Sequence, residues 1–125
     1  MNRLSVAIAQ LNFTVGDVDA NVDRVLDAAD KARSEFGCRV VIFPELSITG
    51  YPPEDLLFRQ DFLERVKAGL DRLLDVTTDI VMVVGHPYLV GEKLYNAASV
   101  ISEGKVVACY CKRELPNFGV FEEKR

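Results

Sequence analysis

The sequence predicts an α/β fold in the order β-α-β-α-β followed by a β-hairpin. Three short runs, Leu4 to Leu11, Val40 to Phe43 and Ile80 to Val84, are almost continuously apolar, as strands buried on both faces are. Two longer stretches between them repeat apolar residues at spacings of three and four, the period of a helix that buries one face. After the third run, two further apolar segments are separated by Ser102-Glu103-Gly104-Lys105, a glycine-containing turn of hairpin length. With 125 residues, 49% hydrophobic, 27% charged and only 8 Gly and 5 Pro, the chain can bury a core and reads as one domain.

The first strand, Leu4 to Leu11, gives way to a helix opened by Asp17 and Asp19. Val22, Val25, Leu26, Ala29, Ala32 and Phe36 form its stripe, and Gly37 is a left-handed cap. The second strand is stopped by Pro44, which cannot donate to a sheet ladder. A loop of turn formers runs from Ser47 to Asp55. Asp61 and Glu64 are spaced as a capping box, and Phe62, Leu63, Val66, Leu70, Leu73 and Leu74 make the second stripe. Right-handed crossovers would pair the third strand, Ile80 to Val84, parallel to the first two. Leu94 to Ile101 and Val106 to Lys112 form the antiparallel hairpin, and Glu114 to Arg125 is charged and irregular. Both helices fall on one side of the sheet, and no third long helix is available for the other side.

Several function classes drop out. The 15 Lys and Arg against 19 Asp and Glu give a net charge of −4, and no basic cluster is interleaved with aromatics, so nucleic acid is not an expected partner. No apolar run approaches the roughly 20 residues that span a bilayer, and no membrane partner is expected. Three cysteines at no framework spacing suit a reducing compartment, hence the cytoplasm. Dinucleotide, Walker and zinc-protease motifs are missing. Cys109-x-Cys111 lacks the second ligand pair of a structural zinc site, so no metal is expected and these thiols read as core residues.

In open parallel sheets, reactive residues gather beyond the carboxyl ends of the strands. Glu45 stands there, after Val40-Val41-Ile42-Phe43-Pro44, either as a proton-transfer group or as a carboxylate that caps a turn or pairs with a lysine. Lys112 ends the run Val106 to Cys111, either as a fixed charge for an oxyanion or as the residue where a strand meets solvent. The two together would suit amide cleavage. A nucleophile is harder to place. Cys109 and Cys111 share a face that alternation denies to Lys112, and seven extended residues at about 3.3 Å each put Cys38 roughly 23 Å from Glu45. His86, before Pro87 where the third strand is expected to end, is either a residue that touches the site or, as a lone histidine with no partner pair, a loop residue.

Phe43 to Leu57, with its Phe-Pro-Glu-Leu start, resembles the glutamate motif of the nitrilase, or carbon–nitrogen hydrolase, superfamily. Tyr110-Cys111-Lys112-Arg113-Glu114-Leu115-Pro116-Asn117 resembles its lysine motif. Ala9-Gln10-Leu11-Asn12 and Gly16 to Asn21 are similar to the usual start. Within the superfamily, Gly50 to Leu57 and Leu115 to Glu123 resemble the glutaminase domain of the glutamine-dependent NAD synthetase family. The resemblance implies an αββα sandwich, of which residues 1–125 would be the N-terminal part of a glutaminase domain.

It implies chemistry as well. In that family a cysteine attacks the side-chain amide of glutamine, a glutamate acts as base and then acid, and a lysine steadies the tetrahedral intermediate. Ammonia then passes to a synthetase domain of the same protein, which uses ATP and Mg to amidate nicotinic acid adenine dinucleotide. Glu45 matches the base and Lys112 the lysine. Phe118 falls where a tyrosine commonly lines the glutamine pocket, Tyr51 is a second candidate for that pocket, and Glu122 or Glu123 matches an acidic residue that supports the lysine. The nucleophile and the pyrophosphate loop are expected outside this sequence, so the 125 residues alone are expected to be inactive, and the enzyme to be a homo-oligomer. Two alternatives stand beside this reading. One is another amidase of the superfamily. The other is a complete, non-catalytic α/β binding module in which Glu45 and Lys112 form a structural ion pair.

Overall fold

The three apolar runs form the parallel half of a five-stranded sheet in the computed structural model, which describes residues 4–50, 59–76 and 79–115. In chain order the elements are β1 (Val6–Ile8), α1 (Val18–Phe36), β2 (Val40–Ile42), α2 (Gln60–Val76), β3 (Val81–Val90), β4 (Lys93–Ser102) and β5 (Lys105–Glu114). The strands lie side by side in sequence order. β1, β2 and β3 are parallel, and β4 and β5 continue the sheet antiparallel, as the expected α/β order requires.

Asp17 caps α1 by accepting from the Ala20 N–H at 3.1 Å, and Gly37 ends it at φ 64°, a backbone angle that costs glycine nothing. Val22 and Val25 of α1 join Phe62 and Leu73 of α2 over Val41, Met82, Val84 and Ile101 of the sheet in one core. Arg72 of α2 bonds Asp23 and lies 3.9 Å from Asp19, so the two helices are also joined at the surface. Asp61, expected as a helix cap, lies inside the first turn because α2 begins at Gln60. It pairs with Arg59 at 3.2 Å instead, and the Arg59 bond holds its carboxyl below the usual range.

β3 runs well past the predicted end at Val84. Gly85, His86 and Pro87 looked like punctuation, yet all three pair with β4. β2 pairs with β3 only as far as Val83, so beyond that point β3 has a ladder on one side. A proline is tolerated on such an edge. His86, expected in a loop, is consequently a buried strand residue with 1% exposure. Its Nδ1–H donates to the Pro87 carbonyl at 3.0 Å, which leaves Nε2 to accept from the Ser99 hydroxyl at 2.7 Å. Burial lowers its pKa and keeps the ring neutral.

Asn21 links α1 to the loops at the carboxyl end of the sheet. Its Nδ2 donates to the carbonyls of Thr14 at 2.8 Å and Ile48 at 3.0 Å, and its Oδ1 accepts from the Thr14 N–H at 2.8 Å. Asn21→Ala would leave buried backbone groups unpaired and is expected to destabilise the protein by about 1–3 kcal/mol, measurable by chemical denaturation.

Register shows which residues share the face away from the helices. Ile8 pairs with Ile42, Ile42 with Val83, Val83 with Val100 and Val100 with Ala108. Ile8 is 71% exposed on that face, and among the described residues no element covers it.

Candidate active site

Pro44 ends the parallel ladder and the chain turns at once. Leu46 adopts a left-handed φ of 51° with its side chain in the core, while the preceding Glu45 stays part-exposed. Such a backbone angle costs a branched residue of order 1–3 kcal/mol and persists where surrounding contacts enforce it. Here the contacts are numerous. Ser47 Oγ donates to the Pro44 carbonyl, and Thr49 donates to the Leu46 carbonyl from both N–H and Oγ1, at 3.2 and 3.1 Å. The Ile48 N–H donates to Gly85 of β3 at 3.3 Å. Leu46, Ser47, Ile48 and Thr49 are all buried, so Glu45 is the part-exposed side chain of an otherwise inward-facing turn.

Lys112 reaches it from the far edge of the sheet. Its Nζ donates to Glu45 Oε2 at 2.6 Å, across 67 residues of sequence, and Arg113 Nη1 lies 3.7 Å from the same oxygen. In a regular strand, consecutive side chains point to opposite faces and only one of these cations could approach. β5 is not regular there. Asn96 pairs with Arg113 while Ala97 pairs with Cys111, which leaves Lys112 as the extra residue of a β-bulge. Bulges re-aim side chains in this way, and both cations converge on one carboxylate. The bond from Lys112 is the main cause of a lowered Glu45 pKa. Partial burial opposes it, and the Lys112 and Arg113 charges and the Asn96 amide add to the lowering. At neutral pH Glu45 is a carboxylate, able to accept a proton.

Among the candidates read from the sequence, Glu45 and Lys112 are therefore brought together. Tyr51, Phe118, Glu122 and Glu123 lie outside the described residues. Arg113 and Asn96 were missed. Arg113 was hidden by the assumption of strict alternation, whereas Asn96 carried a signal, a carboxamide inside the apolar run from Leu94 to Ile101.

The cysteines lie elsewhere. Cys38 follows the cap of α1, at the end of β2 opposite Glu45, with its N–H on the Ala32 carbonyl. Cys109 and Cys111 pair with Ser99 and Ala97, on the face that His86 shares. Their expected burial is corrected: both are exposed, because β5 is the edge strand and all ten of its residues are open to solvent. Desolvation, and after it the neighbouring Cys109, raise the Cys111 pKa. Among the described residues no group of three or more His, Cys, Asp or Glu could hold a metal ion, and no helix is long and apolar enough to cross a membrane.

Comparison with known proteins agrees with this architecture. Residues 5–124 match the family described as Carbon-nitrogen hydrolase. The chain is 51% identical over 124 residues to a glutamine-dependent NAD(+) synthetase of Xanthomonas campestris, covering 99% of this chain and 22% of that protein. It is 43% identical to the synthetase of Aquifex aeolicus, covering 98% of this chain and 21% of the relative. The chain thus spans about a fifth of the length of these curated relatives. Among solved structures it superposes on a glutamine-dependent NAD+ synthetase from Acinetobacter baumannii with TM-score 0.85 and 38% identity, over 100% of this chain and 24% of that one. An amidase from Nesterenkonia sp. gives TM-score 0.78 and 30% identity, over 91% and 44%. In a mutant of that amidase, the acetamide moiety of fluoroacetamide is added covalently at the active-site cysteine. With its glutamate-bearing turn and lysine-bearing strand set on a shared fold, the chain belongs to the carbon–nitrogen hydrolase family.

Proposed function

We propose that this chain supplies the proton-transfer and charge-stabilising groups of the glutamine-hydrolysing site of a glutamine-dependent NAD synthetase. The observation that carries the proposal is the 2.6 Å contact between Lys112 and Glu45 at the carboxyl end of the parallel strands. The similarity to synthetases over nearly the whole chain supports the choice of substrate.

In this reading a cysteine outside the 125 residues is the nucleophile, and residues 1–125 are the N-terminal part of the glutaminase domain. The Glu45 carboxylate takes the thiol proton as sulfur bonds to the carboxamide carbon. Lys112 steadies the negative oxygen of the tetrahedral intermediate. Glu45 then returns the proton to the departing nitrogen as the carbon–nitrogen bond breaks, and ammonia leaves. In the second half, Glu45 takes a proton from the water that attacks the thioester and returns it to sulfur, releasing glutamate and the free thiol.

Ammonia would be consumed by a synthetase domain of the same protein, where ATP and Mg drive amidation of nicotinic acid adenine dinucleotide. In this reading ATP and Mg belong to that other domain. The apolar sheet face away from the helices would be covered by the second half of an αββα sandwich. A cytoplasmic homo-oligomer belongs to the same reading.

The Nesterenkonia match favours one alternative, a simple amidase with the same Glu–Lys pair. The protein as its gene encodes it is expected to release ammonia from glutamine and, given ATP, Mg and nicotinic acid adenine dinucleotide, to form NAD. Cleavage of short aliphatic amides with no turnover of glutamine would replace this function with the amidase.

A further inference from the structure

Asn96 is the one buried side chain among the described residues whose polar atoms have no hydrogen-bond partner. The residue is 0% exposed, and neither Nδ2 nor Oδ1 is bonded. A buried amide left unpaired is costly, so a position of this kind in the middle of a strand needs a reason. The surroundings supply one. Asn96 pairs with Arg113 of β5 and Pro87 of β3, beside the bulge that carries Lys112. Alternation puts it on the same face as Ala98, whose partner Gly85 is the residue against which the backbone of Pro44, Glu45 and Leu46 is seated. Lys112 and Arg113 both approach Oε2 of Glu45, and Oε1 accepts no hydrogen bond among the described residues.

We propose that Asn96 is a positioning residue for Glu45, its amide N–H taking the Oε1 oxygen while Lys112 holds Oε2. This rests on the reading of Glu45 as the base. With one oxygen on each partner, the carboxylate is fixed in plane and rotation, and its proton-accepting lone pair keeps one direction through the cycle. Asn96 itself is too buried to touch substrate, which is why it acts through Glu45. Although no hydrogen bond between them is formed in this structure, the Asn96 amide lies near enough to make the smallest contribution to the lowering of the Glu45 pKa. The charged groups around the pair are Lys112 and Arg113 on β5. Glu114 pairs with Tyr95, one position along, and His86 on β3 faces the other side of the sheet.

The test uses the protein as encoded by its gene, with labelled asparagine side chains and glutamate carboxyls followed by NMR across pH. The Asn96 amide resonances are expected to move with the titration of Glu45, and to stop doing so in Glu45→Gln. Asn96→Ala is expected to lower kcat for glutamine hydrolysis by on the order of 10–100-fold with KM little changed. It should also move the acid limb of kcat/KM upward. Asn96→Asp, which sets a second carboxylate beside Glu45, should move that limb further in the same direction. A wild-type Asn96 amide that ignores the Glu45 titration overturns the inference, even if the variants do not fold. So does an Asn96→Ala enzyme with an unmoved acid limb, and in that case glutamine hydrolysis by the wild type leaves the glutaminase reading standing. Conversely, an amide that follows Glu45 in a protein that does not hydrolyse glutamine supports the contact and sinks only the activity.

Discussion

Glu45→Gln is expected to lower kcat/KM for glutamine hydrolysis by about 10²–10⁴-fold, the usual contribution of a positioned general base. The substitution keeps the size of the side chain and its bond to Lys112 while removing the site that accepts a proton, so stability should change little. Lys112→Met is expected to cost about 10²–10³-fold by removing one donor to the developing oxyanion. The two variants differ in their pH profiles. Lys112 is the main cause of the lowered Glu45 pKa, so the wild-type carboxylate stays ionised to a pH below the ordinary glutamate value of 4.5. Activity is lost only as pH falls through that depressed pKa. Without Lys112 the acid limb moves upward, with Arg113 at 3.7 Å limiting the change. Lys112→Arg should rescue the pH profile better than the rate, because a planar guanidinium cannot occupy the position of an ammonium. Full activity in Glu45→Gln would leave the Glu–Lys contact a structural ion pair.

Gly85→Ala should damage stability and activity together. A Cβ at this position would lie 2.5 Å from the Leu46 nitrogen, 2.6 Å from the Pro44 carbonyl oxygen and 3.0 Å from the Glu45 carbonyl carbon. All three are backbone atoms, so no side-chain rotation relieves the clash. Forced repacking of this kind costs about 1–3 kcal/mol, occasionally more. The same displacement would move Glu45 away from Lys112, and a shift of about 1 Å at a reacting group can cost on the order of 10²-fold in rate. Denaturant midpoints and glutamine turnover on the same preparation check both effects. An alanine variant equal to wild type in both would show that the turn is not held by its contact with β3.

What could be read along the chain was local. Apolar runs, helical stripes, the Asp17 cap and the Gly37 terminator each depend on neighbours within about four residues, and the elements they mark follow in the expected order, although Phe36 of the first stripe and Val6 and Ile8 of β1, expected to be buried, are exposed. Apart from the Asp61 cap, displaced because α2 begins at Gln60, errors arose where a distant partner decided the outcome. Gly85-His86-Pro87 resembles a strand end, but β4 extends alongside it and supplies the ladder that keeps it in the sheet. The thiols of Cys109 and Cys111 look like core residues from their apolar neighbours, but burial requires a second layer, and the helices lie over the other end of the sheet's strand order.

The sequence by itself determined the order of the elements, the placement of Glu45 after a strand and of Lys112 at the end of another, and the family to which those motifs belong. The tertiary structure alone decided that these two side chains touch. Their contact depends on the strand order β1-β2-β3-β4-β5 and on one extra residue in β5, which turns Lys112 and Arg113 toward the same carboxylate. Asn96 is a case of the same kind. Its amide is visible in the sequence, but its burial beside Glu45 follows from the pairing of three strands, and pairing is a property of the sheet that no single strand encodes.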